Sequence, residues 1–213
     1  MTTIHQGQRI ALAGTPLKDA QAVMVMFHGR GAAPESILSL AREFEAPGLA
    51  YLAPQAADNS WWPQPFTAPL AANEPHFSSA LAAVGEALAH VQQIGIASNK
   101  TVLLGFSQGA VLALEYAARS GQRYGGVVGL SGGLFGPQLD AANYPTGLAG
   151  TPVFLGCSDV DSHIPRARVE ESAAMFRLLG ADVTMRLYPG MGHIINADEI
   201  AFVQALLRCL LAS

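Results

Sequence analysis

Ser107 stands between two glycines, in Gly105-Phe106-Ser107-Gln108-Gly109, where the apolar run from Leu103 gives way to the helically spaced segment Gln108–Arg119. A nucleophilic serine must stand clear of its own backbone, and a sharp strand-to-helix turn holds it there in strained geometry. Such a turn presses the helix against the strand, so side chains at Gly105 and Gly109 would collide. The helix N-terminus behind the serine supplies free N–H groups and partial positive charge, which favour a developing oxyanion. The competing interpretation is a Gly-rich helix start carrying an inert serine.

A serine hydroxyl is a weak nucleophile at neutral pH and needs a base, which in turn needs an orienting acid. On this kind of turn the chain order is serine, then Asp or Glu, then histidine. The sequence offers that order: Asp159 and Asp161 in "GCSDVDSHIP", then His193 in "YPGMGHIIN". His193 follows an apolar run and precedes the closing helix, where a loop can aim an imidazole. The other histidines are less suited. His5 falls in the N-terminal tail, His76 at a helix start, His90 on a helix and His28 in "FHGRG", while His163 is too close in chain to the acids. Spacing alone leaves Asp159 and Asp161 open. Cys157, His163 and the two aspartates match no strong metal-ligand pattern, so neither metal nor organic cofactor is expected.

The elements that must position these residues are legible as short apolar runs alternating with amphipathic segments. Strands are expected at Ala22–Gly29, Leu49–Pro54, Lys100–Ser107, Gly125–Gly132, Thr151–Ser158 and Asp182–Gly190. Helices are expected at Pro34–Glu45, His76–Gly95 (with Ser78 and Ser79 as candidate caps), Gln108–Arg119 and Arg166–Gly180, and a closing helix capped by Asn196. Strands apolar on both faces and alternating with helices indicate a mostly parallel sheet covered on both sides. Ligands then sit beyond the carboxyl ends of the strands. The Pro- and Trp-rich stretch from Pro54 to Pro75 is long for a connection, and such loops are usually functional or disordered.

The chain has 213 residues, half of them hydrophobic and 13% charged, with a net charge of −4. One α/β domain over residues 1–213 with a sizeable core is expected. No basic stripe supports nucleic-acid binding. No apolar run is long enough to span a bilayer, and the N-terminus lacks the pattern of a secretory signal. Two cysteines, Cys157 and Cys209, make no disulfide framework, so a cytoplasmic location is expected. Met- and Leu-rich helices offer a patch for pairing into a homodimer.

With these residues in view, the sequence resembles the phospholipase/carboxylesterase family of α/β-hydrolases, which includes bacterial carboxylesterases and acyl-protein thioesterases. "FHGRGAAPES" is similar to the family's His-Gly-x-Gly loop, "GFSQGAVLAL" to its nucleophile turn and "YPGMGHII" to its histidine loop. The family's acid segment reads His-Gly-x-x-Asp-x-x-Val-Pro. Laid on this chain without gaps, Cys157 and Ser158 take the His-Gly places, Asp161 the Asp and Ile164-Pro165 the Val-Pro. The resemblance therefore favours Asp161 over Asp159. "NSWWPQPF" and "GHIINADEI" look most like a bacterial branch of small esterases.

The resemblance implies an α/β-hydrolase fold without a large lid domain, and a serine hydrolase using Ser107, His193 and Asp161. It implies an oxyanion hole from the backbone N–H groups of Gln108 and Arg30. The expected substrate is a small or short-chain carboxylic ester in a shallow, open site; the alternative is a thioesterase or lysophospholipase for longer acyl chains. A non-catalytic binding module on the same scaffold is the rival from another class. Trp61, Trp62 and Phe66 are candidates to wall the substrate pocket, with Trp62 favoured because the family carries an aromatic near there. They could equally pin the long loop to the body. The Arg30 side chain is expected to be solvated rather than to bind an acidic substrate group.

Overall fold

The computed structural model describes residues 3–212. Seven strands form one sheet: β1 (Ile10–Gly14), β2 (Ala22–Phe27), β3 (Leu49–Pro54), β4 (Thr101–Phe106), β5 (Gly126–Leu130), β6 (Pro152–Ser158) and β7 (Asp182–Tyr188). Their spatial order is β1-β3-β2-β4-β5-β6-β7. Every neighbouring pair is parallel except β1 with β3.

Alternation of side chains along each strand feeds two apolar layers. Val23, Val25 and Phe27 of β2 face the layer that also takes residues of α2 (His76–Gln93), α3 (Gln108–Ser120) and α4 (Arg166–Leu178). Ala22, Met24 and Met26 face the other layer, where α1 (Pro34–Leu38) and α5 (Ala197–Ala212) pack. This is the α/β-hydrolase architecture expected from the sequence. Among the described residues no helix is long and apolar enough to cross a membrane.

Four local expectations are corrected. Strand β1 was not foreseen: it is a half-exposed antiparallel edge of only five residues, with Ile10 and Leu12 exposed rather than buried. The helix expected over Pro34–Glu45 is α-helical only to Leu38 and continues as a 3-10 segment over Ser39–Glu43. There Ser36 and Ser39 hydroxyls bond the carbonyls of Ala33 and Ser36, the local competition that disfavours serine within helices. Ser78 and Ser79 do not cap α2, which starts after Pro75. Ser78 donates to Glu74, and Ser79 Oγ accepts the N–H groups of Ile4 and His5. His5 accordingly is no loose tail residue: it is buried, donates through Nε2 to the Trp61 carbonyl at 2.9 Å and accepts the Ala57 N–H at Nδ1.

The helix cap at Asn196 is present. Its Oδ1 accepts the N–H groups of Asp198 and Glu199, and Glu199 Oε2 accepts the Asn196 N–H. This reciprocal capping box fixes where α5 begins, and so where the loop carrying His193 must end.

Candidate active site

Ser107 leaves the carboxyl end of β4 with φ 56° and ψ −120°, a conformation costly for any residue with a Cβ. The flanking glycines explain how the chain reaches it. A Cβ on Gly105 would lie 2.1 Å from the Gly109 carbonyl oxygen, and one on Gly109 would lie 2.0 Å from the Phe27 carbonyl oxygen. Strand and helix start are in backbone contact, as the turn requires. The Ser107 N–H is spent on the Leu130 carbonyl at 3.0 Å, which leaves the side chain clear at the sheet rim.

Loops from three other strand ends meet it there. His193, after β7, places Nε2 2.9 Å from Ser107 Oγ and Nδ1 2.7 Å from Asp161 Oδ2, after β6. An ionised carboxylate only accepts hydrogen bonds, so Nδ1 carries the proton and Nε2 is free to accept from the serine. The Asp161 side chain is fully buried. Burial pushes its carboxyl pKa up, but hydrogen bonds from His193 and from the His163 and Ile164 N–H groups outweigh that and hold it below the ordinary value. Asp159 serves elsewhere, its Oδ1 accepting the Gly190 N–H at 2.8 Å at the start of the His193 loop. The ring of His193 is flanked by Phe106 and His163, each with its centroid 4.9 Å away.

The His28–Gly31 loop after β2 lies against the same turn: a Cβ on Gly29 would sit 3.4 Å from Ser107 Cβ. Among the described residues the backbone N–H groups of Arg30 and Gln108 have no acceptor within the protein. Their side chains bind the aromatic loop instead. Gln108 Nε2 donates to the Trp62 carbonyl and its Oε1 accepts the Trp61 N–H. The Arg30 guanidinium is exposed, yet not simply solvated: it donates to the Pro63 and Gln64 carbonyls at 3.0 and 3.2 Å.

A cavity of about 1090 Å³ opens over Ser107 and His193, with Gly29, Arg30 and Gln108 in its lining. Trp62 and Phe66 form part of its wall, and Trp62 is braced by edge contacts to Phe77 and Phe135. Trp61 does not line it. This corrects the expectation of a pocket residue: Trp61 is fully buried beneath the loop, packed between Phe27, His5 and His28. The cavity is also larger than the expected shallow site, lying just above the usual range of about 300–1,000 Å³ for small-molecule pockets. Its lining also includes Ile37, Leu40, Phe106, Ile194 and Ile195, which were not singled out from the sequence. Phe106 lay inside the serine motif and Ile194 and Ile195 inside the histidine loop, but their convergence with Ile37 and Leu40 joins segments far apart in the chain and carries no local signal.

Comparisons with known proteins agree with this architecture. The family model for phospholipase/carboxylesterase matches residues 10–211. A solved phospholipase/carboxylesterase from Dyadobacter fermentans is 40% identical, with a TM-score of 0.93 over 98% of this chain and 99% of its own. Acyl-protein thioesterase 2 of Zea mays, at 20% identity, shares the fold with a TM-score of 0.74 over 96% of this chain and 99% of its own. Acyl-protein thioesterase 1 of Gibberella zeae is 34% identical over 116 residues, which is 54% of this chain and 49% of that protein. The chain spans about half the length of the curated relatives it matches. With the family model running across all seven strands of the sheet, this chain belongs to the phospholipase/carboxylesterase family.

Proposed function

We propose that the protein is a serine hydrolase that cleaves carboxylic esters through an acyl-enzyme on Ser107. The observation that carries this is the continuous hydrogen-bonded line from Ser107 Oγ through His193 to the buried Asp161, at 2.9 and 2.7 Å, with Ser107 and His193 lining an open cavity. Ser107 Oγ attacks the ester carbonyl carbon while its proton passes to His193 Nε2. The Arg30 and Gln108 N–H groups receive the carbonyl oxygen as it gains charge. The C–O bond to the leaving alcohol then breaks, and His193 returns the proton to that oxygen. Water, deprotonated by His193, attacks the acyl carbon; the bond to Ser107 Oγ breaks, His193 returns the proton to that oxygen, and the carboxylic acid leaves. Asp161 keeps the imidazole in the required tautomer and stabilises the imidazolium.

The favoured substrates are small neutral esters. The Arg30 side chain in the cavity lining turns its Nη groups to the Pro63 and Gln64 carbonyls, which supports neutral over acidic esters. A fluorophosphonate probe should label the wild type and fail to label Ser107→Ala. An unlabelled, folded wild type would favour a binding module on this scaffold. A second reading, hydrolysis of longer acyl esters or thioesters, is supported by the cavity's size and aliphatic wall, and by the name of the Gibberella zeae relative. A p-nitrophenyl ester series separates the two. Activity that climbs beyond butyrate, with each buried methylene contributing about 0.8 kcal/mol, would select the longer-chain reading.

A further inference from the structure

The aromatic loop holds the oxyanion loop in place as well as walling the cavity, and one of the contacts that do so is made by Trp61. Its indole Nε1–H donates to the His28 carbonyl at 3.0 Å, and its ring lies 5.2 Å from the His28 imidazole, tilted by 34°. The other polar groups of Trp61 are also committed: its N–H to Gln108 Oε1 at 2.9 Å and its carbonyl to His5 Nε2 at 2.9 Å. The residue is fully buried, so none of these bonds is exchanged with solvent.

Planar peptide units transmit this hold to the Arg30 N–H. In a trans peptide the C=O and the following N–H point in opposite directions, so fixing one aims the other. The Trp61 indole fixes the His28 carbonyl, hence the plane of the His28–Gly29 unit. His28 then fixes the next unit, its Nδ1–H donating to the Gly29 carbonyl at 2.8 Å while Nε2 accepts the Ala56 N–H at 3.1 Å. That second plane carries the Arg30 N–H. The Gly31 N–H, bonded to the Asn59 carbonyl at 2.7 Å, ties down the far side.

We propose that Trp61 is a positioning residue for the oxyanion hole, acting through its indole N–H on the His28 carbonyl. This rests on the hydrolase reading above. Without the donor, the His28 carbonyl keeps no fixed partner on that side, and the Arg30 N–H drifts from the place where the oxyanion forms. Small displacements of catalytic groups by changes away from the reacting atoms cost up to about 100-fold in rate.

The test replaces the indole at position 61 with the isosteric benzothiophene ring, which keeps the packing and removes the donor, alongside Trp61→Phe. Turnover of p-nitrophenyl butyrate, affinity for butyl trifluoromethyl ketone and the urea unfolding midpoint are measured for each. The ketone forms a tetrahedral adduct with a serine oxygen and so reads the oxyanion hole directly. The expected result is a fall of about 10- to 100-fold in kcat, with KM within about two-fold, an equal loss in ketone affinity and an unchanged urea midpoint for the benzothiophene variant. Unaltered kcat in that variant overturns the proposal, as does a fall in kcat that leaves ketone affinity intact. Those results leave the hydrolase reading standing, whereas a wild type that neither turns over the ester nor takes a fluorophosphonate sinks that reading itself.

Discussion

Cys157 Sγ lies 3.8 Å from Asp161 Oδ2, the same oxygen that receives His193 Nδ1. Burial, with the Asp161 charge adding to it, pushes the thiol up to about 12. Cys157 therefore remains a thiol, able to donate and poor as a nucleophile. Iodoacetamide at pH 8 should modify the folded protein once, on the exposed Cys209, and twice in denaturant. Mass spectrometry of the native sample checks this; modification of Cys157 at a comparable rate would contradict the buried assignment.

The two aspartates should separate cleanly by kinetics. Asp161 contacts the His193 ring, whereas Asp159 accepts a backbone N–H from the loop that carries it. Loss of the carboxylate in Asp161→Asn should cost about 10⁴ in kcat, the scale set by the wrong imidazole tautomer. Asp159→Asn should lose only a small part of that, since an amide oxygen still accepts the Gly190 N–H. Comparable losses in the two variants would refute the division of roles.

Backbone contact at the serine turn leaves no room for a methyl group. Gly109→Ala would place its Cβ 2.0 Å from the Phe27 carbonyl and 2.7 Å from that of His28. The helix must then move away from the carboxyl end of β2, at a cost of at least about 1–3 kcal/mol for overpacking. Urea unfolding reads the loss, and fluorophosphonate labelling should slow in whatever folded protein remains. Gly31→Ala is the contrast: a Cβ there meets nothing within 4 Å, and the penalty comes only from its φ of 75°.

Glu199 is buried in the cap of α5, with Oε1 unpartnered and close beneath Gly156. Burial raises its carboxyl to about 7 from an ordinary 4.5. Between those values the folded state holds a proton that the unfolded state has lost, so stability falls as pH rises through the window and is lowest above it. Glu199→Gln keeps the capping-box acceptor and removes the ionisation. It should raise the melting temperature at pH 8 by roughly 2–4 °C, the shift that 1 kcal/mol produces in a domain of this size, and have less effect at pH 4.5. A variant less stable at both pH values would overturn the assignment.

Some of the site could be read locally because its chemistry is local. Ser107 announces itself by two glycines whose absence of side chains is a steric necessity of the turn. His193 follows from its place after the last strand. Asp159 and Asp161 could not be told apart by spacing, since the bend after β6 decides which carboxylate turns inward. His5 was dismissed as a tail residue because nothing adjacent in sequence signals that Ser79 and Ala57 would bind it. Trp61 and Trp62 look alike in the sequence and both are buried, but only Trp62 reaches the cavity; which one does so depends on the packing of the loop against the body.

The amino-acid sequence by itself determined the alternation of strands and helices, the strained serine turn and the order of the three polar side chains, because periodicity and steric exclusion act over a few residues. The tertiary structure decided which aspartate meets the imidazole, which tryptophan holds the His28 carbonyl and how wide the cavity is. Those depend on how loops from separate strand ends pack against one another, a property of distances that no local pattern encodes.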